Sequence, residues 1–262
     1  MELYRSSKIN QTMTQFFADA SKVNTEEHRI VIDGDDYNHI KNVLRMKTGE
    51  EFSVRIQGEP REYRCSVKEY TESEVICEIR FIKEDDTELP VKVTIYQALP
   101  KSDKLETVIQ KCIELGAVRI VPVRTSRCVV KLDDKKAESK CARWQQIAEA
   151  AAKQSQRGII PTVGPVMDFD EAMKDASLLD MRLMPYELAE NMAATREIFS
   201  QIKSGSSVGV FIGPEGGFDE KEVARASENG FVPITLGRRI LRTETAAMTV
   251  MSWIVFEFDD KA

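Results

Sequence analysis

The amino-acid sequence predicts an α/β protein in two parts, a small β-barrel followed by a larger domain built on a mostly parallel sheet. Three observations predict it. Residues 29–82 carry short runs of β-formers between turn residues, and residues 91–236 alternate apolar strands with helical segments. A charged, turn-prone stretch from Lys83 to Pro90 separates the two patterns. We therefore expect domains at residues 1–85 and 90–262.

In the first domain the expected strands are Arg29–Ile32, Glu51–Ile56, Tyr63–Val67 and Val75–Ile82, with Asp33-Gly34 and Thr48-Gly49 as turns. One helix interrupts them, from Asp36 through Leu44, with Asp35 or Asp36 as its cap. Short strands at this spacing point to a small barrel.

In the second domain Val91–Leu99 reads as a strand. Leu105, Val108, Ile109, Cys112 and Ile113 then recur at helical spacing, and Gly116 closes that helix. Val118–Val123 is a strand, followed by a long helix with Trp144, Ile147, Ala148 and Ala151 on one face. Further strands are expected at Ser177–Met184, Ser207–Ile212 and Phe231–Leu236, separated by helical stretches. Such alternation implies parallel strands covered by helices. The final helix, Thr245–Phe256, is apolar on nearly every side, which suits a subunit interface as well as a core; a closed monomer core is the alternative.

The 262 residues are 42% hydrophobic and 31% charged, enough apolar material for a sizeable core. A net charge of -6 excludes a protein that coats nucleic acid indiscriminately, but leaves room for a local basic face. From Arg119 to Arg157 ten Lys/Arg stand against four Asp/Glu. Solvated helix faces explain such a run; so does a phosphate-contacting stripe, because Arg124, Arg127, Arg143 and Arg157 are expected at strand or helix ends. Five scattered cysteines without a CxxC pair, and only His28 and His39, argue against a metal centre and for reduced thiols. The polar stretch Met1–Thr14 lacks a signal-peptide pattern, and the apolar run Ala246–Phe256 is too short to span a bilayer. The expectation is a soluble, cytoplasmic protein with no metal and no membrane.

Two glycine turns near the C-terminus carry the chemistry. Phe211-Ile-Gly-Pro-Glu-Gly-Gly-Phe218 ends an apolar strand and enters a helix near Glu220, with Asp219 and Glu222 spaced as a capping box. Leu236-Gly-Arg-Arg-Ile-Leu-Arg-Thr-Glu-Thr-Ala246 repeats the strand, turn and helix-start pattern. Glycine lets the main chain approach a ligand closely, so the two turns suggest one small-molecule site read largely by backbone. Absence of GxGxxG, GxxxxGK[ST] and GxSxG disfavours a Rossmann dehydrogenase, a P-loop nucleotide hydrolase and a serine hydrolase.

These turns resemble those of the knotted SPOUT methyltransferases, and more narrowly the bacterial 16S ribosomal RNA uridine-N3 methyltransferases. The resemblance extends to Lys101-Ser-Asp-Lys-Leu-Glu106, Lys111-Cys-Ile-Glu-Leu-Gly116, Pro122 through Arg127, Arg143-Trp144, Gln154-Ser-Gln-Arg157, and His39 with Val43 through Glu50. It covers nearly the whole chain. One departure is Gln15, which stands before Phe16-Phe17 where the family usually has an arginine.

The resemblance implies a trefoil-knotted C-terminal domain, a PUA-like RNA-binding barrel, S-adenosylmethionine as cofactor, a homodimer, and 16S ribosomal RNA of the small subunit as partner. It places the cofactor against Met184, Ile212, Gly213, Glu215, Gly217, Leu236, Ile240, Leu241 and Ala246. Core packing competes with that role for Leu236 and Ile240, and a filler role for Met184. Arg242 would orient the target nucleotide and offset negative charge on uracil. Glu244 or Glu215 would accept the proton, with Glu244 holding Arg242 in place as the alternative. Arg124, Arg127, Arg143 and Arg157 would hold phosphates, with Gln154 and Ser155 nearer the nucleoside. A different target RNA, or an RNA-binding assembly factor without catalysis, are the competing readings.

Overall fold

Alternating buried and open side chains shape the first sheet, as in Arg29–Asp33, where Ile30 and Ile32 turn inward and Arg29 and Asp33 outward. The structure, a computed structural model, describes residues 13–84, 87–187, 189 and 191–259; the apparent extension before Met13 lies outside them. The chain divides into two compact units. One runs to Thr87 and also takes Gln156–Ile159; the other holds Glu88–Ser155 and the chain from Ile160 onward.

The first unit contains β1 (Gln15–Ala18), β2 (Val23–Asn24), β3 (Arg29–Asp33), α1 (Gly34–Asn38), β4 (Glu51–Ile56), β5 (Arg61–Tyr70) and β6 (Glu74–Glu84). Among the described residues its sheet has the order β1-β4-β5-β6-β3-β2, antiparallel apart from the β1–β4 pair. It is a PUA-like half-barrel around Phe16, Ile30, Phe52, Val54, Tyr63 and Val75. The expected helix begins earlier than the sequence suggests: Asp33 occupies the cap position, and Asp35 and Asp36 lie in the first turn, where the helix dipole favours carboxylates. From His39 to Val43 the coil widens into a π turn. Gln15 is buried, and its side-chain amide donates to the Arg157 carbonyl at 2.8 Å.

The second unit contains β7 (Lys92–Ala98), α2 (Lys104–Glu114), β8 (Arg119–Arg124), α3 (Asp134–Gln154), β9 (Thr162–Val163), β10 (Met167–Asp168), α4 (Phe169–Ala176), β11 (Met181–Pro185), α5 (Met192–Ser200), β12 (Ser207–Ile212), α6 (Glu220–Glu228), β13 (Val232–Ile234) and α7 (Thr243–Phe258). The sheet order is β10-β8-β7-β12-β11-β13, with β9 also on β8, and every pairing is parallel. Strand alternation sorts the side chains. Val93, Ile95, Val208, Val210 and Ile212 face a core shared with α2, α3 and α7. Tyr96 and Phe211 face the other side, with Phe169 of α4 and Val223 of α6. Tyr96 stacks on Phe211 at 4.4 Å, and Phe231 meets Phe211 edge-on at 4.7 Å. Gly209 lies beneath this stack because a Cβ there would stand 2.9 Å from Leu179 and 3.3 Å from Tyr96.

The expected strand Ser177–Met184 is only its second half. Ser177 caps α4, Leu178 and Leu179 complete the turn, and pairing starts at Met181. Short apolar runs do not by themselves distinguish a helix end from a strand. The final helix is not buried all round: Ala247, Val250, Met251 and Ile254 enter the core, whereas Phe256 is 89% exposed.

Gly116 ends α2 at φ +97, and a Cβ there would stand 2.5 Å from Leu89 Cδ1. Gly116→Ala is expected to lower unfolding free energy by about 1–3 kcal/mol in urea titration, from backbone strain and displacement of Leu89.

Candidate active site

Parallel pairing brings the carboxyl ends of neighbouring strands to one edge. Ile212 lies opposite Gln97, and Met184 opposite Pro233, one residue before Ile234. The segments that leave this edge are the turn Gly213–Gly217 after β12, the chain after Pro185, and the loop Leu236–Arg242 that feeds α7. In open α/β sheets ligands bind in a crevice outside this edge.

Three braces hold the turn after β12. Thr243, at the start of α7, donates its hydroxyl to the Gly213 carbonyl at 2.6 Å and accepts Gln97 Nε2 at 2.8 Å. Arg127 donates to the Gly216 carbonyl at 2.9 Å. Glu222, buried, takes the Asp219 amide at 2.9 Å in the expected capping box and the Ser126 amide at 2.8 Å, tying the loop after β8 to the start of α6. Gly217 has φ +65, and the Glu187 carboxylate stands 3.1 Å from where a Cβ would be.

Glu215 supplies the turn's carboxylate. Its Oε1 accepts the Lys101 amide at 3.1 Å and Lys104 Nζ at 2.7 Å. Partial burial works to raise its pKa, but hydrogen bonds from Lys104 and from backbone amides outweigh it and hold the carboxyl below the ordinary value. Glu244 follows Thr243; its Oε2 is buried, accepts no hydrogen bond, and lies 4.0 Å from Lys104 Nζ. The side chain of Gln97 is fully buried, with Oε1 likewise lacking a hydrogen-bond partner. Two buried acceptors without donors, on either side of Thr243, mark a place where a ligand's donors fit.

Of the residues expected at the cofactor, Met184 and Ile212 are buried at strand ends, and Gly213, Glu215 and Gly217 form the turn. Leu236, Leu241 and Ala246 are half-buried along the last loop and the first turn of α7. Ile240 is 95% exposed, which removes core packing as its explanation. The Arg242 guanidinium is exposed, with no ion pair to Glu244 among the described residues; Lys104 is the cation beside Glu244.

The expected phosphate-binding arginines are differently disposed. Arg124, at the end of β8, pairs with Asp168 at 3.3 Å, and Arg143 with Glu106 at 2.9 Å. Arg143 lies within α3 rather than at an element end. Arg127 braces the glycine turn. Arg157 is 3% exposed and belongs to the first unit, so its guanidinium is not presented to phosphate in this conformation. Gln154, the last residue of α3, is exposed beside a groove of about 600 Å³ between α2 and α3, and Ser155 caps that helix through the Ala151 carbonyl at 2.8 Å. Sequence reasoning assigned no role to Gln97, Lys101, Lys104 or Thr243. The run Lys101-Ser-Asp-Lys104 directly after a strand end was the available signal.

The RNA methyltransferase domain model matches residues 87–255, and the RNA methyltransferase PUA domain model matches residues 32–80. The Bacillus subtilis ribosomal RNA small subunit methyltransferase E is 39% identical over 249 residues, covering 94% of this chain and 97% of its own. The chain belongs to the ribosomal RNA small subunit methyltransferase E family. A family structure from Neisseria gonorrhoeae, bound to S-adenosylmethionine, superposes with a TM-score of 0.78 at 28% identity, over 94% of this chain and 99% of that one. A methyltransferase from Legionella pneumophila in complex with S-adenosylmethionine gives 0.81 at 30% identity, over 94% and 98%. The half-barrel followed by a parallel α/β domain is the architecture of this family and fits the SPOUT class.

Glu215 has a lowered pKa, so its share of stability is present above the ordinary carboxyl value of 4.5 and is lost as pH falls through the lowered one. Melting temperatures of wild type and Glu215→Gln are therefore expected to differ above pH 4.5 and to converge below it.

Proposed function

We propose that this chain methylates N3 of a uridine in 16S ribosomal RNA, the uracil at position 1498, with S-adenosylmethionine as donor, working in the cytoplasm as a homodimer. The observation that carries the reading is the braced glycine turn at the carboxyl edge of the sheet, with the buried acceptors Gln97 Oε1 and Glu244 Oε2 beside it. It occurs in a chain of the small subunit methyltransferase E family, two of whose similar structures hold S-adenosylmethionine.

The residues present fit that cofactor. Gly213 and Gly217 leave room for close approach, Ile212, Leu236 and Leu241 offer apolar contact, and the unpartnered Gln97 Oε1 suits an amino group. When bound, S-adenosylmethionine supplies a methyl group already activated by a sulfonium.

The chain's own residues then have two tasks. One is to align the uridine N3, where alignment alone is worth about 7–11 kcal/mol in favourable cases. The other is to take the N3 proton and balance the negative charge left on the uracil. Arg242 is exposed at the mouth of this edge and suits the second charge; Glu244 and Glu215 are the available carboxylates. The target base must be unpaired or flipped to reach them. The half-open face of α7, with Met248, Trp253 and Val255 partly covered and Phe256 exposed, supports a second copy as partner.

Transfer of labelled methyl to small-subunit RNA, followed by nucleoside mass spectrometry, is expected to yield 3-methyluridine; no heat with S-adenosylmethionine and no methyl incorporation would overturn the reading. Arg242→Ala is expected to lower kcat by about 10²–10³-fold, as for loss of one charge-stabilising donor, with cofactor affinity retained. Normal turnover of that variant at saturating RNA and cofactor removes the arginine from the mechanism.

A further inference from the structure

Lys104, the first residue of α2, sits between two carboxylates that come from different parts of the chain. Its Nζ is 2.7 Å from Glu215 Oε1 and 4.0 Å from Glu244 Oε2. Two acids with one cation leave a surplus negative charge beside Lys104. The acids are not equivalent. Glu215 accepts hydrogen bonds from Lys104 and from the Lys101 amide, whereas Glu244 Oε2 is buried and accepts none. A buried carboxylate oxygen without a donor is unfavourable unless a donor is supplied from outside.

We propose that Lys104 is a positioning residue for methyl transfer: it holds Glu215 as an anchor of the glycine turn and leaves Glu244 Oε2, which has no hydrogen-bond donor, as the acceptor for the N3 proton of the target uridine. The proposal rests on the uridine-N3 reading above. In that step the N3–H bond breaks, its electron pair stays on N3, and the proton passes to Glu244 Oε2. Lys104 remains charged throughout. The lowered pKa of Glu215 agrees with this division, since a carboxylate stabilised as the anion is the poorer base.

Other charged groups also stand on the elements packed here: the Glu187 carboxylate is 3.1 Å from the Cβ position at Gly217, and Lys101, whose amide meets Glu215, is exposed. Glu106 on α2 is taken by Arg143 of α3, and Arg127 by the Gly216 carbonyl and, at 3.7 Å, by Asp219. Asp103 precedes α2 and is exposed, and Arg242 is exposed at the start of α7. Lys104 is thus the cation in direct reach of both Glu215 and Glu244 among the described residues.

The test combines a carboxyl titration with a pH–rate profile. In protein labelled with ¹³C at glutamate carboxyls, Lys104→Met should move the Glu215 midpoint upward, and Lys104→Arg should keep it low. In methyl transfer to small-subunit RNA, Lys104→Met should lower kcat by about 10–100-fold and shift the acid limb to higher pH, because the carboxylates lose their cation. Glu215→Gln should shift that limb the other way, because Lys104 is then left to Glu244 alone. A purely structural role predicts no such opposed shifts. The proposal falls if Glu215 titrates alike in wild type and Lys104→Met, or if neither variant moves the acid limb. Should Lys104→Met fail to fold, the limb of Glu215→Gln decides alone. Wild-type protein that makes no 3-methyluridine would sink the uridine reading, and with it the proton-transfer half of the proposal. The carboxyl titration then decides whether Lys104 anchors Glu215.

Discussion

One hydroxyl ties together three pieces of chain at the carboxyl edge of the parallel sheet. Thr243 joins the end of β7, through Gln97, to the turn after β12, through Gly213, and it does so from the first residue of the last helix. Those three pieces are distant in sequence, Gln97 and Thr243 being 146 positions apart. Each bond contributes about 0.5–1.5 kcal/mol net, while a buried partner left unpaired costs about 1–3 kcal/mol. The asymmetry makes the edge cooperative, because the turn, the strand end and the helix start hold their positions together. The placement of Glu215 and Glu244 around Lys104 follows from that fixed frame.

Local features of this frame were legible in the sequence. The strand Ser207–Ile212 is bounded by Gly205 and Gly213, and the Asp219–Glu222 capping box announces α6 at its observed start. Both depend on residues within a few positions of each other. The strand before Met184 was read too early because Leu178 and Leu179 continue its apolar run, although they finish a helical turn. The cap of α1 was misplaced among three acids and a glycine because any of several aspartates suits that position.

The site was legible as a set of segments but not as a set of contacts. Lys104 reaches Glu215 across 111 residues, and no spacing rule predicts a pair at that separation. The same holds for the arginines between Arg124 and Arg157. Their charge surplus is visible in the sequence, but only the folded chain shows that Arg124 and Arg143 face acids and that Arg127 faces a carbonyl. Gln97 gave no signal because a polar residue at a strand end reads as an ordinary terminus.

The four residues Gln156–Ile159 leave the methyltransferase unit just after α3 and pack with the half-barrel, where the Gln15 amide holds the Arg157 carbonyl. Gln156 bends the backbone there at φ +58. The chain therefore passes between the two units three times rather than once. Recombining halves between relatives at the Thr87–Glu88 junction alone would transplant a barrel without the short piece of chain that completes it. The Gln15 side chain and the backbone of Gln156–Ile159, far apart in the chain, would then have to change hands together.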